Sequence, residues 1–239
     1  MHIALLIHAL TVGGAQNRTL ALANGLAARG HHIDLIVAAR GAPGEERLDP
    51  RVRFVPLGSR ASAAVGSGLG RITDLAGVIP ALARYLDSER PDVLAGMANH
   101  SAPIAVLGHA LMRQPRTTTL VLRASNHVPR TPSAKGNLLR RLHLRPVWSR
   151  ADRIIAVSRS VAHSLSAGLG IAPGRITVLP SPILPEDVTS RAAEPPEHDW
   201  LRQPDPDTPT ILGIGRFVEQ KGFDLLLEAF DRVRRQRPC

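Results

Sequence analysis

Three short stretches hold the residues whose types and spacing could do chemistry. In "HALTVGGAQ", Gly13 and Gly14 stand between an apolar run and an amphipathic one. Where a strand hands over to a helix, free backbone N–H groups and the helix dipole favour a phosphate. A plain turn that needs one glycine with positive φ would use the same residues. In "RASNHVPRTP", Arg123, Asn126 and His127 follow another apolar run. A histidine there can orient a hydroxyl or take up a proton, because imidazole titrates near neutrality. Most of the ten histidines in the chain need only solvent or a hydrogen bond. In "GIGRFVEQKGFD", Gly213 and Gly215 allow close backbone approach, while Arg216 and Lys221 set two cations around a turn. Such a pair could neutralise a diphosphate leaving group as it gains charge; solvated surface cations are the ordinary alternative.

These groups sit in a chain with a formal charge of +10, from 30 Lys and Arg against 20 Asp and Glu. That excess draws anionic partners: nucleic acid, an acidic membrane surface or phosphorylated small molecules. No RNP, helix-turn-helix or KH motif stands out, and four Phe, two Trp and one Tyr are too few for a base-stacking platform, which speaks against nucleic acid. The basic run "KGNLLRRLHLRPVWSRADR" (135–153) interleaves Lys135, Arg140, Arg141, Arg145, Arg150 and Arg153 with Leu138, Leu139, Leu142 and Leu144. Its ordinary reading is a solvated basic face over leucines turned inward; the alternative is a helix in peripheral contact with an anionic membrane.

Cys239 is the only cysteine, so neither an internal disulfide nor a cysteine metal site can form. No aspartate-based metal site is evident, and no metal or other cofactor is expected. The opening run "HIALLIHAL" is too short to span a bilayer and reads as a strand. The cytoplasm, with an optional peripheral place at the inner membrane face, is the expected compartment.

The elements that must position these residues alternate. Short, continuously apolar runs occur at 2–9, 32–39, 52–57, 92–98, 118–125, 153–158 and 176–181, as expected of strands buried on both faces. Between them, 15–30 reads as a helix ending at Gly30, and 158–170 as one capped by Ser158 and stopped by Gly168 or Gly170. Residues 71–86 place Ile72, Leu75, Ile79, Leu82 and Leu86 on one helical face, with a kink or break expected at Pro80. The run 60–70 reads as a flexible loop. The pattern predicts an α/β fold with a Rossmann-like, doubly wound parallel sheet over 1–184. A proline-rich linker follows at 185–208. From 209 to 239 a strand ("TILGIG") and a helix with Phe223, Leu226, Leu227 and Phe230 as core open a second Rossmann-like domain.

In this order, "GGAQNRTLALANGLAARGHHIDLIV", "RPDVL", "SRADRIIAVSRSVAHSL", "RITVLPSPI" and "ILGIGRFVEQKGFDLLLEAF" resemble the retaining family-4 glycosyltransferases. Their GT-B architecture sets two Rossmann-like domains across a cleft. The resemblance implies transfer of a sugar from a nucleotide-diphosphate donor to an acceptor hydroxyl with retention. The acceptor would sit mainly on the first domain and the donor on the second. The family's G-R-x-x-x-x-K-G pattern falls on Gly215, Arg216, Lys221 and Gly222, implying donor diphosphate contacts from Arg216 and Lys221. Gly13 and Gly14 would face donor phosphates or acceptor, and His127 would be the catalytic histidine, with Asn126 as the alternative alignment. Arg123 and Asn126 are candidate acceptor contacts. Ser181 stands where the family's V-x-P-N-P pattern has asparagine.

The family's paired glutamates, E-x-x-x-x-x-x-x-E, would belong beyond residue 239. The residues from 209 onward are too few for a domain of roughly 100 to 150 residues. The expectation is therefore a chain cut short, with weak or no transfer by itself. A noncatalytic binding remnant is the alternative, with a GT-B-type nucleotide-sugar epimerase and a nucleic-acid-binding protein as weaker ones.

Overall fold

The computed structural model describes residues 1–10, 14–39, 45–58, 68–114, 117–128, 133–181, 188–202, 210–215 and 217–236. The chain divides into two compact units, Met1–Ile183 and Leu184–Cys239.

The first unit is built on seven parallel strands: β1 (His2–Ile7), β2 (His32–Val37), β3 (Val52–Pro56), β4 (Val93–Gly96), β5 (Thr119–Ala124), β6 (Arg153–Ala156) and β7 (Ile176–Val178). Their order is β3-β2-β1-β4-β5-β6-β7. Helix α1 (Gly14–Ala28) follows β1, α2 (Gly68–Glu89) follows β3, and α3 (Ala102–Ala110), α4 (Ala134–Ser149) and α5 (Arg159–Leu169) follow β4, β5 and β6. Side chains alternate across the pleat, so the sheet carries two cores. Leu5, Ile7, Ile33, Leu35 and Val37 pack with Leu20, Ala23 and Ala27 of α1. Ala4, Leu6, Ile36, Leu94, Leu120, Leu122 and Ile154 pack with residues of α2, α3 and α5, including Leu82, Ile104 and Leu165. Each fully buried Leu or Ile is worth about 1.5–3 kcal/mol, so the hydrophobic strand runs decide this architecture.

Local signals set the helix ends. Ser158 accepts a hydrogen bond from the Val161 amide at 3.2 Å, and Gly170, at φ +67°, closes α5. Gly170 rather than Gly168 is thus the stop. Gly30 ends the turn after α1 with φ +82°. Helix α2 runs through Pro80 without a break, contrary to one of the two expectations there. Pro80 is on the exposed side, so the carbonyl that loses its amide partner can turn to water. The loop read at 60–70 lies mostly outside the described residues, and 68–70 belong to α2.

The ordinary reading of the basic run is corrected for three of its leucines. Leu138, Leu139 and Leu142 of α4 are exposed by 58%, 48% and 62%, while Trp148 holds the helix to the core at 3%. Periodicity put the leucines on neighbouring positions, but among the described residues no element covers them.

The second unit contains α6 (Val188–Ala192), α7 (Asp199–Arg202), a 3-10 turn at Glu219–Lys221 and α8 (Phe223–Gln236). Residues 210–215, read as a strand, join no ladder among the described residues. The apolar face of α8 is not core either: Leu226, Leu227 and Phe230 are 37%, 69% and 45% exposed. The cause is the same in both places, since a strand and an amphipathic face exist as such only against a partner.

Candidate functional site

The sheet runs outward in both directions from β1 and β4, with α1 on one face and the next helices on the other. At such a switch point the loops after the strands part and leave a crevice at the carboxyl edge. The loops after β1, β4, β5 and β7 bring polar side chains to that edge.

Arg123, near the end of β5, is 7% exposed. Its Nη1 donates to the Met97 carbonyl at 3.3 Å and to Ser125 Oγ at 3.0 Å, and its Nη2 donates to Ser181 Oγ at 2.5 Å. Ser181, the departure from the family pattern, thus ties the β7 loop to β5. Burial, and then the positive charge of Arg18, pull the Arg123 pKa below the usual guanidinium value. Arg18 folds back over the first turn of α1, its Nε donating to the Gly14 carbonyl at 2.7 Å.

Asn99, after β4, clamps the β5 loop: its Oδ1 accepts from the Ser125 amide at 2.9 Å and its Nδ2 donates to the Asn126 carbonyl at 3.2 Å. The Val128 amide donates to Ser164 Oγ of α5 at 2.9 Å. Between these anchors, Asn126 and His127 are exposed. Ser101 closes the β4 loop, donating to the Ala98 carbonyl at 2.9 Å. Two further histidines meet here edge to face: His8 after β1 and His100 before α3, with ring centroids 5.8 Å apart. His100 is exposed, yet partial desolvation at the edge and then the charge of His8 lower its pKa, which favours the neutral imidazole.

Of the residues singled out in the sequence, Arg123, Asn126 and His127 share this edge, with Gly14 at the start of α1. Gly13 and Arg216 lie outside the described residues. Gly215 and Lys221 come together in the second unit: a Cβ at Gly215 would lie 3.3 Å from the Lys221 stem and 3.4 Å from Phe223. A side chain at 215 would make the Lys221 stem shift by a few tenths of an ångström. Lys221 is exposed, and Gly222 after it takes φ +61°. Arg18, Asn99, His8 and His100 were missed, although the last three follow apolar runs and the same position rule reaches them.

At the amino edge, His2, His32 and Asp34 form the one group of potential metal ligands among the described residues. Arg53 takes both Asp34 oxygens, at 2.8 and 2.5 Å, so the carboxylate is already neutralised. A cavity of about 460 Å³ near the amino end of β5 is lined by Val106, His109, Thr118, Leu120, Arg150 and Asp152. Its His109 and Asp152 are bound to the Thr118 carbonyl and the Leu120 amide. Neither place gathers free polar groups as the carboxyl edge does.

In fold, the chain is similar to HepE from Anabaena in complex with UDP and glucose, at TM-score 0.52 and 17% identity over 76% of this chain and 44% of that one. It is also similar to the apo form of the lipopolysaccharide outer core galactosyltransferase WaaB (0.53, 14%, 83% and 50%). A sucrose-phosphate synthase from Thermosynechococcus elongatus is a third (0.54, 16%, 74% and 47%). The chain spans half or less of the length of each. No curated protein matches it in sequence. The family description Glycosyltransferase Family 4 matches residues 12–187, almost the whole of the first unit. The chain belongs to glycosyltransferase family 4.

Proposed function

We propose that this protein takes part in retaining transfer of a sugar from a nucleotide-diphosphate donor to an acceptor hydroxyl, the first unit holding the acceptor. The observation that carries the reading is the convergence of Arg123, Asn126, His127 and the His8–His100 pair on the carboxyl edge of a family 4 domain. His127 is exposed at that edge and is the group to meet the reacting hydroxyl. Gly14 opens α1, where backbone N–H groups favour phosphate oxygens. Arg216 and Lys221 balance the diphosphate as the glycosidic bond breaks through an oxocarbenium-like transition state. The solved relative bound to UDP and glucose supports a nucleotide-sugar donor.

The test is transfer from a panel of nucleotide-sugars by the full-length protein, with the product anomer read by NMR. Retention is expected, and an inverted product overturns the mechanism. Lys221→Ala should lower kcat about 100- to 1000-fold, the cost of losing one preorganised charge-stabilising group. An unchanged kcat removes Lys221 from the site.

Helix α4 extends this reading to a partner. It has no acidic residue, and Lys135, Arg141 and Arg145 are exposed beside Leu138, Leu139 and Leu142. Cations flanking exposed leucines match an anionic lipid surface, each cation being worth about 1 kcal/mol there. Co-sedimentation with phosphatidylglycerol-containing vesicles is expected, lost in high salt and weakened by Leu138→Gln with Leu142→Gln. Equal binding to pure phosphatidylcholine vesicles, or none to either, overturns it.

A further inference from the structure

His127 lies in a segment that is held through its main chain from two directions. The ladder between β4 and β5 ends at the pair Gly96 and Leu122. Beyond that point the Asn99 side chain takes the place of a strand: Oδ1 accepts from the Ser125 amide at 2.9 Å, and Nδ2 donates to the Asn126 carbonyl at 3.2 Å. A carboxamide carries an acceptor and donors on one planar group, so it serves both neighbours as a peptide would, whereas a carboxylate could serve only the amide. The turn that aims Asn99 is closed by Ser101, which is fully buried. Ser101 Oγ accepts from the Ala98 amide at 3.1 Å and donates to the Ala98 carbonyl at 2.9 Å.

On the other side of His127, Val128 rests on α5. Its amide donates to Ser164 Oγ at 2.9 Å. Ser164 is buried on the inward face of the helix, beside Val161 and Leu165. A helix serine ordinarily turns its hydroxyl to a carbonyl of its own helix; this one meets an amide from another element. Gly168, one turn on, leaves room for the same residue, since a Cβ there would stand 3.4 Å from Val128. Both fastenings take main-chain atoms, and the side chains of Asn126 and His127 stay exposed.

We propose that Asn99 and Ser164 are positioning residues, which together fix the backbone at His127 and so the place of its imidazole at the carboxyl edge. That the imidazole is placed for an acceptor hydroxyl rests on the glycosyltransferase reading; the clamp itself does not. His100 belongs to the same turn as Asn99. That turn therefore sets His100 directly and His127 through Asn99, and governs the spacing of the two imidazoles. Proton transfer needs heavy atoms within hydrogen-bond reach, so an ångström of freedom at this loop matters.

The experiment has two readouts on the full chain. The first is amide hydrogen exchange by NMR, without any sugar donor. Asn99→Ala should speed exchange at Ser125, and Ser164→Ala at Val128, about five- to tenfold each, the worth of one net hydrogen bond. Amides of β5 and α5 should keep their rates, and Ser164→Thr, which retains the oxygen, should restore Val128. Unchanged exchange in both alanine variants overturns the clamp, and faster exchange throughout the sheet overturns a local role. The second readout is sugar transfer. Asn99→Ala should lower kcat about ten- to a hundredfold with donor KM unchanged, the cost of a misplaced group. Asn99→Asp, which keeps the Ser125 bond, should lose less. In a His127→Ala background, Asn99→Ala should cost nothing more, because the clamp acts through the histidine; additive losses overturn the positioning role. If the wild type transfers no sugar, the glycosyltransferase reading alone fails, and the exchange rates still decide the clamp.

Discussion

Asp34 and Arg123 are both buried charges on the same sheet, and their surroundings differ in kind. Asp34, on β2 near the amino edge, is fully buried. The register places Arg53 of β3 opposite it and His2 of β1 opposite His32, two residues away on the same face. Arg53 donates twice to the carboxylate, His2 Nε2 lies 2.7 Å away, and the Tyr85 hydroxyl of α2 donates as well. Arg53 reaches on to Glu89 at 2.8 Å, tying the end of α2 to the sheet. Arg123, at the carboxyl edge, has only neutral partners among the described residues. The chain's own folding answers the first charge with counter-charges and the second, among the described residues, with neutral acceptors. The first arrangement ties strands and a helix through opposite charges, the second ties three loops through neutral hydrogen bonds.

The largest way to break this contrast is to remove the answered charge. Asp34→Ala would strand the buried Tyr85 hydroxyl and leave Arg53 with Glu89 alone. A loss of about 3 kcal/mol is expected, the range for breaking a buried pair from one side. Urea denaturation followed by circular dichroism measures it, and a loss below about 1 kcal/mol would make the network incidental.

Acid gives a smaller effect from the same group. Burial by itself would raise the Asp34 pKa, but hydrogen bonds from Arg53, Tyr85 and His2 outweigh it and hold the carboxyl at about 2, below the ordinary 3.8. A depressed carboxylate stabilises the fold above its unfolded pKa and stops doing so as pH falls through the folded one. The contribution, about 2 kcal/mol, should be complete above about pH 4 and vanish towards pH 2. The difference in urea midpoint between wild type and Asp34→Ala should shrink across that window. A difference constant from pH 5 to pH 2 would mean that the carboxylate keeps no proton-linked role.

The sheet was legible because its strands are buried on both faces and read as unbroken apolar runs, with Ser158, Gly30 and Gly170 marking helix ends. The Asp34 network was not legible. In "HIDLIV" the aspartate is one polar letter in an apolar strand, and its partners come from β1, β3 and α2 through register and packing. Arg123 could be chosen from its place at a strand end, but its partners Met97, Ser125 and Ser181 come from three loops that only the fold brings together. The leucines of α4 and the apolar face of α8 show the same limit from another side. Periodicity tells which residues share a face, and only the tertiary structure tells whether that face is covered. For Gly13 and Arg216, outside the described residues, the sequence argument stands alone.

The sharpest test of the contrast is the one with the smallest expected effect on stability. Arg123→Met keeps a flexible stem of similar length in the same space. It removes hydrogen bonds to Met97, Ser125 and Ser181, each worth about 1 kcal/mol net. It also removes a buried charge that has no ion-pair partner among the described residues, and replacing buried ionic groups by apolar ones is often neutral or stabilising. The two effects oppose, so urea denaturation should place the variant within about 1 kcal/mol of wild type. A loss near that of Asp34→Ala would show that Arg123 holds the three loops together as Asp34 holds the amino edge. The two charges would then be one kind of feature, each a structural tie whose loss the fold does not tolerate.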